Sequence, residues 1–219
     1  MNITQHVATL GQSLWLDNLS RSLLRDGTLA RLIAEDGISG VTSNPSIFEK
    51  AFATSPYYAD DLARLKDSEP DAERRYEALA IPDIQAACDL LLPTYEASDG
   101  NDGYVSMEVA PRWAYDTART VEEAQRLSAA VNRRNLLVKV PGTPEGVSAL
   151  ETLTTLGINV NVTLLFSVAQ TEAIFHAFIR GLNARVQADA GVHHSKAVAS
   201  LFLSRVDTLV DKQLTNIGT

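Results

Sequence analysis

A chain of 219 residues with a single cysteine cannot close an internal disulfide. Cys88 lies at helical spacing from Ile84, Leu91 and Leu92, so a place in the core is expected for it. Basic residues are scarce: 19 Lys and Arg stand against 27 Asp and Glu, for a net charge of -8 and a pI near 5.0. So acidic a surface argues against nucleic acid or an anionic membrane as partner. No apolar run approaches the length of a membrane span, and the opening Met1-Asn-Ile-Thr-Gln5 lacks a secretion-signal pattern. The cytoplasm is therefore the expected location. Without such a signal, the glycosylation-like triplets Asn18-Leu-Ser20 and Asn161-Val-Thr163 carry no meaning. The His193-His194 pair has no third ligand at useful spacing, so no metal is expected, and the Gly142-Thr-Pro-Glu-Gly146 turn lacks the Lys of a phosphate-binding loop. There is no internal repeat or low-complexity tract. With 45% hydrophobic residues, one domain over residues 1–219 is the expectation.

What the chain does have is a set of two-faced segments. Leu14-Trp-Leu-Asp17 sets Leu14 and Leu16 against a face that ends in Asp17. Gly40-Val-Thr-Ser-Asn44 puts Thr42 and Asn44 together, and Tyr104-Val-Ser-Met-Glu-Val109 separates Tyr104, Ser106 and Glu108 from Val105, Met107 and Val109. Ile158 to Leu164 divides Asn159, Asn161 and Thr163 from Ile158, Val160, Val162 and Leu164, while Ala197 to Ser204 places Ser200 and Phe202 on one side. Side chains alternate faces along a strand, so each segment has one apolar face and one that carries polar groups.

Long stretches with apolar residues at helical spacing connect them: Leu19 to Glu35, Glu49 to Leu92, Thr117 to Val131, Thr143 to Leu156 and Ser167 to Gln187. The charged run Asp67 to Glu73 reads as a solvated hinge, and Ser98 to Gly103 as a turn cluster before the third strand. Strands alternating with helices imply right-handed crossovers and a parallel sheet. An open doubly wound sheet would bury both strand faces, whereas a repeated polar face fits a closed barrel whose catalytic groups project from the C-terminal strand ends. Asp17, Asn44, Glu108, Lys139, Thr163 and Ser200 all fall at such positions.

Lys139 stands out among them. It lies inside Asn135-Leu-Leu-Val-Lys-Val-Pro141, a strand that otherwise reads as fully buried. A buried ammonium is costly unless it is paired or does chemistry, and burial favours the neutral amine, a nucleophile toward carbonyls. Bland readings exist for the others: Asp17 as a helix cap, Asn44 as a turn initiator before Pro45, Arg205 as a partner of Asp207 or Asp211.

The runs Val41-Thr-Ser-Asn-Pro-Ser-Ile47, Val105-Ser-Met-Glu-Val109, Leu136-Leu-Val-Lys-Val140, Asn159-Val-Asn-Val-Thr-Leu-Leu-Phe-Ser167 and Ala199-Ser-Leu-Phe-Leu-Ser-Arg-Val-Asp207 resemble, in order, those of the transaldolases. Leu14-Trp-Leu-Asp17 resembles the longer actinobacterial and cyanobacterial type. The resemblance implies an α/β protein of the TIM (β/α)8 barrel family that acts in the pentose phosphate pathway without a cofactor. It would move a dihydroxyacetone unit from a ketose phosphate (sedoheptulose 7-phosphate or fructose 6-phosphate) to an aldose phosphate (erythrose 4-phosphate or glyceraldehyde 3-phosphate). Lys139 would form the Schiff base, Asp17 would exchange a proton with the C4 hydroxyl, and Glu108 would shuttle protons through a water held by Thr163. Thr42, Asn44, Asn161, Ser200 and Phe202 would line the substrate, and Arg205 would take its phosphate.

Two departures qualify the match. Six strands are legible where such a barrel has eight, usually in about 250 residues, so the expectation is the N-terminal part of a longer enzyme. Ala110-Pro-Arg112 also stands where relatives often have Asp-Pro-Arg. Fructose 6-phosphate aldolases resemble the chain too, but that subfamily has glutamine at the position of Glu108 and tyrosine at that of Phe202. A non-catalytic sugar-phosphate-binding remnant is the alternative outside enzymology. The sequence is silent on subunit number.

Overall fold

A computed structural model describes residues 2–218. Its elements alternate as the patterning requires. Helix α1 (Ile3–Thr9) precedes strand β1 (Leu14–Asp17), followed by α2 (Arg21–Arg25), α3 (Thr28–Asp36) and β2 (Ile38–Thr42). Then come α4 (Pro45–Thr54), α5 (Ala59–Ser68), α6 (Ala72–Ala97), β3 (Tyr104–Glu108), α7 (Thr117–Val131) and β4 (Leu136–Pro141). The chain continues through α8 (Pro144–Leu156), β5 (Val160–Leu165), α9 (Val168–Gln187), β6 (Ala197–Leu201) and α10 (Leu203–Ile217). The strands follow one another in the sheet in chain order, β1 to β6. Neighbours β1–β2, β2–β3, β4–β5 and β5–β6 pair in parallel. Strand order without reversal distinguishes a (β/α)8-barrel series from a doubly wound sheet, and six of the eight strands are present. Among the described residues no helix is long and apolar enough to cross a membrane.

Two compact units divide the chain, one running to Glu108 together with Arg126–Leu137, the other comprising Val109–Gln125 and everything from Val138. In the first, Leu19, Leu29, Val41, Phe48, Tyr58, Leu79, Ile84, Cys88, Leu91, Val105 and Met107 form the buried interior. Each such side chain contributes about 1.5–3 kcal/mol by leaving water. Trp15, Gly40 and Tyr104 share one register row, and the Trp15 indole lies where a Gly40 side chain would be, 2.3 Å from its Cβ position. Only glycine fits there. The second unit is built on Val138, Val140, Leu150, Leu153, Val160, Val162 and Ile174. Gly181 lets α9 approach α8, since a Cβ there would stand 2.6 Å from Thr154 Cβ.

The structure corrects several boundaries. Leu19 to Glu35 is two helices, because Gly27 takes a left-handed φ of 72° between them. The stretch Glu49 to Leu92 is three helices and a short 3-10 turn, interrupted at Pro56 and Pro70. Asp71 then accepts from the Glu73 and Arg74 amides and starts α6. That helix nevertheless runs through Pro82 and Pro93, held by buried Ile84, Ala87, Cys88 and Leu91. Tertiary burial outweighs the lost backbone bonds. The expected apolar face of the fifth strand fails at Leu164, which adopts φ 63° and is 39% exposed, while Leu165 is fully buried. A register shift between Val162 and Leu165 turns Leu164 outward.

Candidate active site

In the first unit, three consecutive parallel strands deliver the candidate groups. Asp17 pairs in register with Thr42, and Thr42 with Ser106, so these three side chains face one side as a lateral row. Glu108 follows two residues beyond Ser106 on the same face. Asp17 is exposed, Glu108 half-buried and Ser106 buried. Ser43 Oγ donates to the Ser106 carbonyl (2.8 Å), tying the end of β2 to β3. The cap of α2 is Ser20, whose side chain accepts from the Leu23 amide, so Asp17 does not serve that purpose. Asn44 does cap a helix: its Oδ1 accepts from the Ile47 amide (3.0 Å) at the start of α4. Asn44 is thus a helix cap where its bland reading was a turn initiator, and its amide nitrogen remains the group that could meet a hydroxyl.

Two hydroxyls in this unit lack hydrogen-bond partners although their oxygens are buried, Thr42 Oγ1 and Tyr76 Oη. Burial, and after it the charges of Glu108 and Glu77, push the Tyr76 phenol well above its usual range. Sequence reasoning missed Tyr76. It sits on α6 among residues whose spacing says only that they form a helix, and no local motif marks it.

In the second unit, Lys139 is 5% exposed and lies in register with Asn161, which in turn pairs with Val198. Pro141 is likewise opposite Thr163. Asn161 and Thr163 are almost wholly buried, at 1% and 2% exposure. Ser200 Oγ donates to Asn161 Oδ1 (2.7 Å), which fixes the amide's orientation from the neighbouring strand. The Lys139 carbonyl accepts from Val109 N (3.0 Å), and the Thr163 carbonyl from Gly142 N (2.8 Å). These bonds set the backbone on either side of the lysine row. Further along, the Phe202 ring lies 5.6 Å from Phe166, and the Arg205 guanidinium stands 4.8 Å over the Phe202 centroid. Arg205 therefore stacks on an aromatic face instead of pairing with Asp207 or Asp211, and being exposed, it presents its charge to solvent. Among the candidates, Asp17 and Thr42 come together, with Glu108 one strand further on. So do Lys139, Asn161 and Ser200, and so do Phe202 and Arg205.

Chemically, one unit supplies two carboxyl groups with hydroxyls beside them, the other a buried amine in a row of amides and hydroxyls. Residues 14–219 match the family model described as Transaldolase/Fructose-6-phosphate aldolase. The chain belongs to the transaldolase family. It is 72% identical over 219 residues to a transaldolase of Thiobacillus denitrificans, covering all of this chain and 61% of that protein. A transaldolase of Neisseria gonorrhoeae is 50% identical over 214 residues (98% and 61% covered), and one of Thermobifida fusca 46% over 215 residues (98% and 58%). The chain thus spans about three fifths of the length of these relatives.

Proposed function

We infer that this chain takes part in a transaldolase reaction, the transfer of a dihydroxyacetone unit between sugar phosphates by way of an imine on Lys139. The observation that carries this reading is the burial of Lys139 in register with Asn161, in a chain of this family. Its amine adds to the C2 carbonyl of a ketose phosphate, and loss of water from the carbinolamine leaves an iminium. That cation draws electrons as the C3–C4 bond breaks. The C4 hydroxyl proton passes to Asp17, an aldose phosphate departs, and the three carbons remain as an enamine. Addition of the enamine to a second aldose phosphate forms a new C–C bond, Asp17 returns the proton, and water releases the ketose. Glu108, with a water held by Thr163, carries protons in the dehydration and its reverse. Asn44, Thr42, Asn161, Ser200 and Phe202 bind the sugar chain, and Arg205 takes the phosphate through its planar fork. The cytoplasm, where sugar phosphates are handled, completes the reading.

The distinction from an aldolase rests on Glu108 and Phe202, and acceptor dependence tests it. Fructose 6-phosphate should be consumed at full rate by the full-length gene product only when erythrose 4-phosphate is present. Release of dihydroxyacetone at the same rate without acceptor would replace transfer by simple cleavage.

A further inference from the structure

Three planar groups follow one another just beyond the C-terminal ends of β5 and β6. The Phe166 and Phe202 rings lie 5.6 Å apart with planes tilted by 31°, and the Arg205 guanidinium stands 4.8 Å over the Phe202 centroid. Both separations fall in the attractive range for such contacts. Arg205 lies in the first turn of α10, a helix with no buried residue, so packing of that helix does not anchor it. A long, flexible side chain loses rotamer freedom when it holds an anion, and a ring beneath it removes part of that loss beforehand.

Phe166, in contrast, is fixed through its backbone. Its amide donates to Gln170 Oε1 (3.1 Å), and Gln170 Nε2 donates to the Gly142 carbonyl (3.2 Å) in the loop that follows β4. The Phe202 amide donates to the Leu165 carbonyl (3.0 Å), which brings the two phenylalanines side by side. At 45% exposure the Phe166 ring is a poor core residue, and the ring it packs against is Phe202.

We propose that Phe166 is a positioning residue for Arg205: it backs the Phe202 ring, that ring holds the guanidinium, and the guanidinium meets the phosphate of the sugar substrate. This rests on the assignment of the phosphate to Arg205 made above. A contact over a ring leaves guanidinium N–H groups able to donate to phosphate oxygens, so the stack orients the cation without consuming its donors. Phe166 acts through Phe202 and does not itself touch the substrate. Gln170 supports it from behind, holding the Phe166 backbone to the loop after β4.

Phe166→Leu and Phe166→Tyr in the full-length gene product test the proposal, with inorganic phosphate as the probe. Phosphate is titrated as an inhibitor of transfer from fructose 6-phosphate to erythrose 4-phosphate, and KM, kcat and thermal unfolding are measured beside it. In Phe166→Leu the inhibition constant for phosphate and the KM for fructose 6-phosphate should both rise about two- to five-fold, the size of an exposed cation–π contact. The kcat and the unfolding temperature should stay close to the parent's. Phe166→Tyr keeps the ring and should behave as the parent does. In an Arg205→Ala background Phe166→Leu should add nothing, because the two residues act in one chain of contacts. An unchanged inhibition constant in Phe166→Leu would overturn the proposal, and a lower kcat and unfolding temperature beside it would make the ring merely structural. An equal further rise in the Arg205→Ala background would overturn it as well, since the effect would then bypass Arg205. If Arg205→Ala alone leaves phosphate inhibition at the parent's level, the assignment of the phosphate to Arg205 fails and this inference with it. If Phe166→Leu alone does so, that assignment stands and only this inference falls.

Discussion

The first unit buries a charge, Arg21, among partners that neutralise it. Its guanidinium donates to Asp83 Oδ1 (3.0 Å), Asp61 Oδ2 (2.7 Å) and the Tyr57 and Leu79 carbonyls. Tyr58 closes the network, donating to Asp83 Oδ2 (2.7 Å) and accepting from the Arg21 amide. The second unit buries Lys139 in register with Asn161 of the adjoining strand, whose amide is held by Ser200 one strand further on, groups suited to sugar hydroxyls. Burial of a basic side chain is common to both regions, and the chemistry each basic group can do differs. A guanidinium, never deprotonated and fully bonded, holds elements together, whereas an amine set among amides and hydroxyls is suited to attack a carbonyl.

Substitutions can break this comparison, beginning with the largest effect. Lys139→Leu should lower transfer activity by roughly four orders of magnitude or more, as loss of a nucleophile does. Far-ultraviolet circular dichroism should stay unchanged; a collapsed fold would make Lys139 as structural as Arg21. Arg21→Ala should do the reverse, costing about 3–5 kcal/mol in urea unfolding because Asp83 is left buried without its cation. Leu153→Ala, in the interior between α8 and its neighbours, should cost about 2–5 kcal/mol, while Leu209→Ala on α10 should stay within about 0.5 kcal/mol. That contrast follows from the complete burial of Leu153 and the 59% exposure of Leu209 on a helix with no buried residue. Cys88, whose thiol is pushed up to about 12 by burial, should resist alkylation at neutral pH until the first unit unfolds. The smallest effect is a titration. Hydrogen bonds from Arg21 and then Arg64 hold the Asp61 carboxyl below the usual carboxylate range. Its contribution to stability is complete above the ordinary Asp range and disappears as pH falls through the lowered value. Asp61→Asn should flatten that part of the acid-unfolding curve.

Much of the fold was legible in the chain itself, and so was the alternation that sets the candidate site residues on one face of their strands. Strands declared themselves because a polar group at every second residue of an apolar run matches the two-residue period of a strand and breaks the 3.6-residue period of a helix. Lys139 was conspicuous for the same reason. Breaks in the long helical stretch were harder. Pro56 and Pro70 end helices whereas Pro82 and Pro93 do not, and what separates them is the burial of Ile84, Cys88 and Leu91 around the latter, a tertiary property. Leu164 escaped because its left-handed φ belongs to a bulge that only pairing with β6 reveals. Asn44 caps a helix through its oxygen, which leaves its nitrogen able to donate, whereas sequence alone offered turn initiation and substrate binding as alternatives. Tyr76 could not be found at all, since an unpartnered hydroxyl is defined by what surrounds it.

The most direct measurement is the position of the covalent adduct. Full-length protein incubated with fructose 6-phosphate and sodium borohydride, digested and sequenced by mass, should carry the reduced sugar on the peptide containing Lys139 and nowhere else. Modification of another lysine, or none under turnover, would contradict the account.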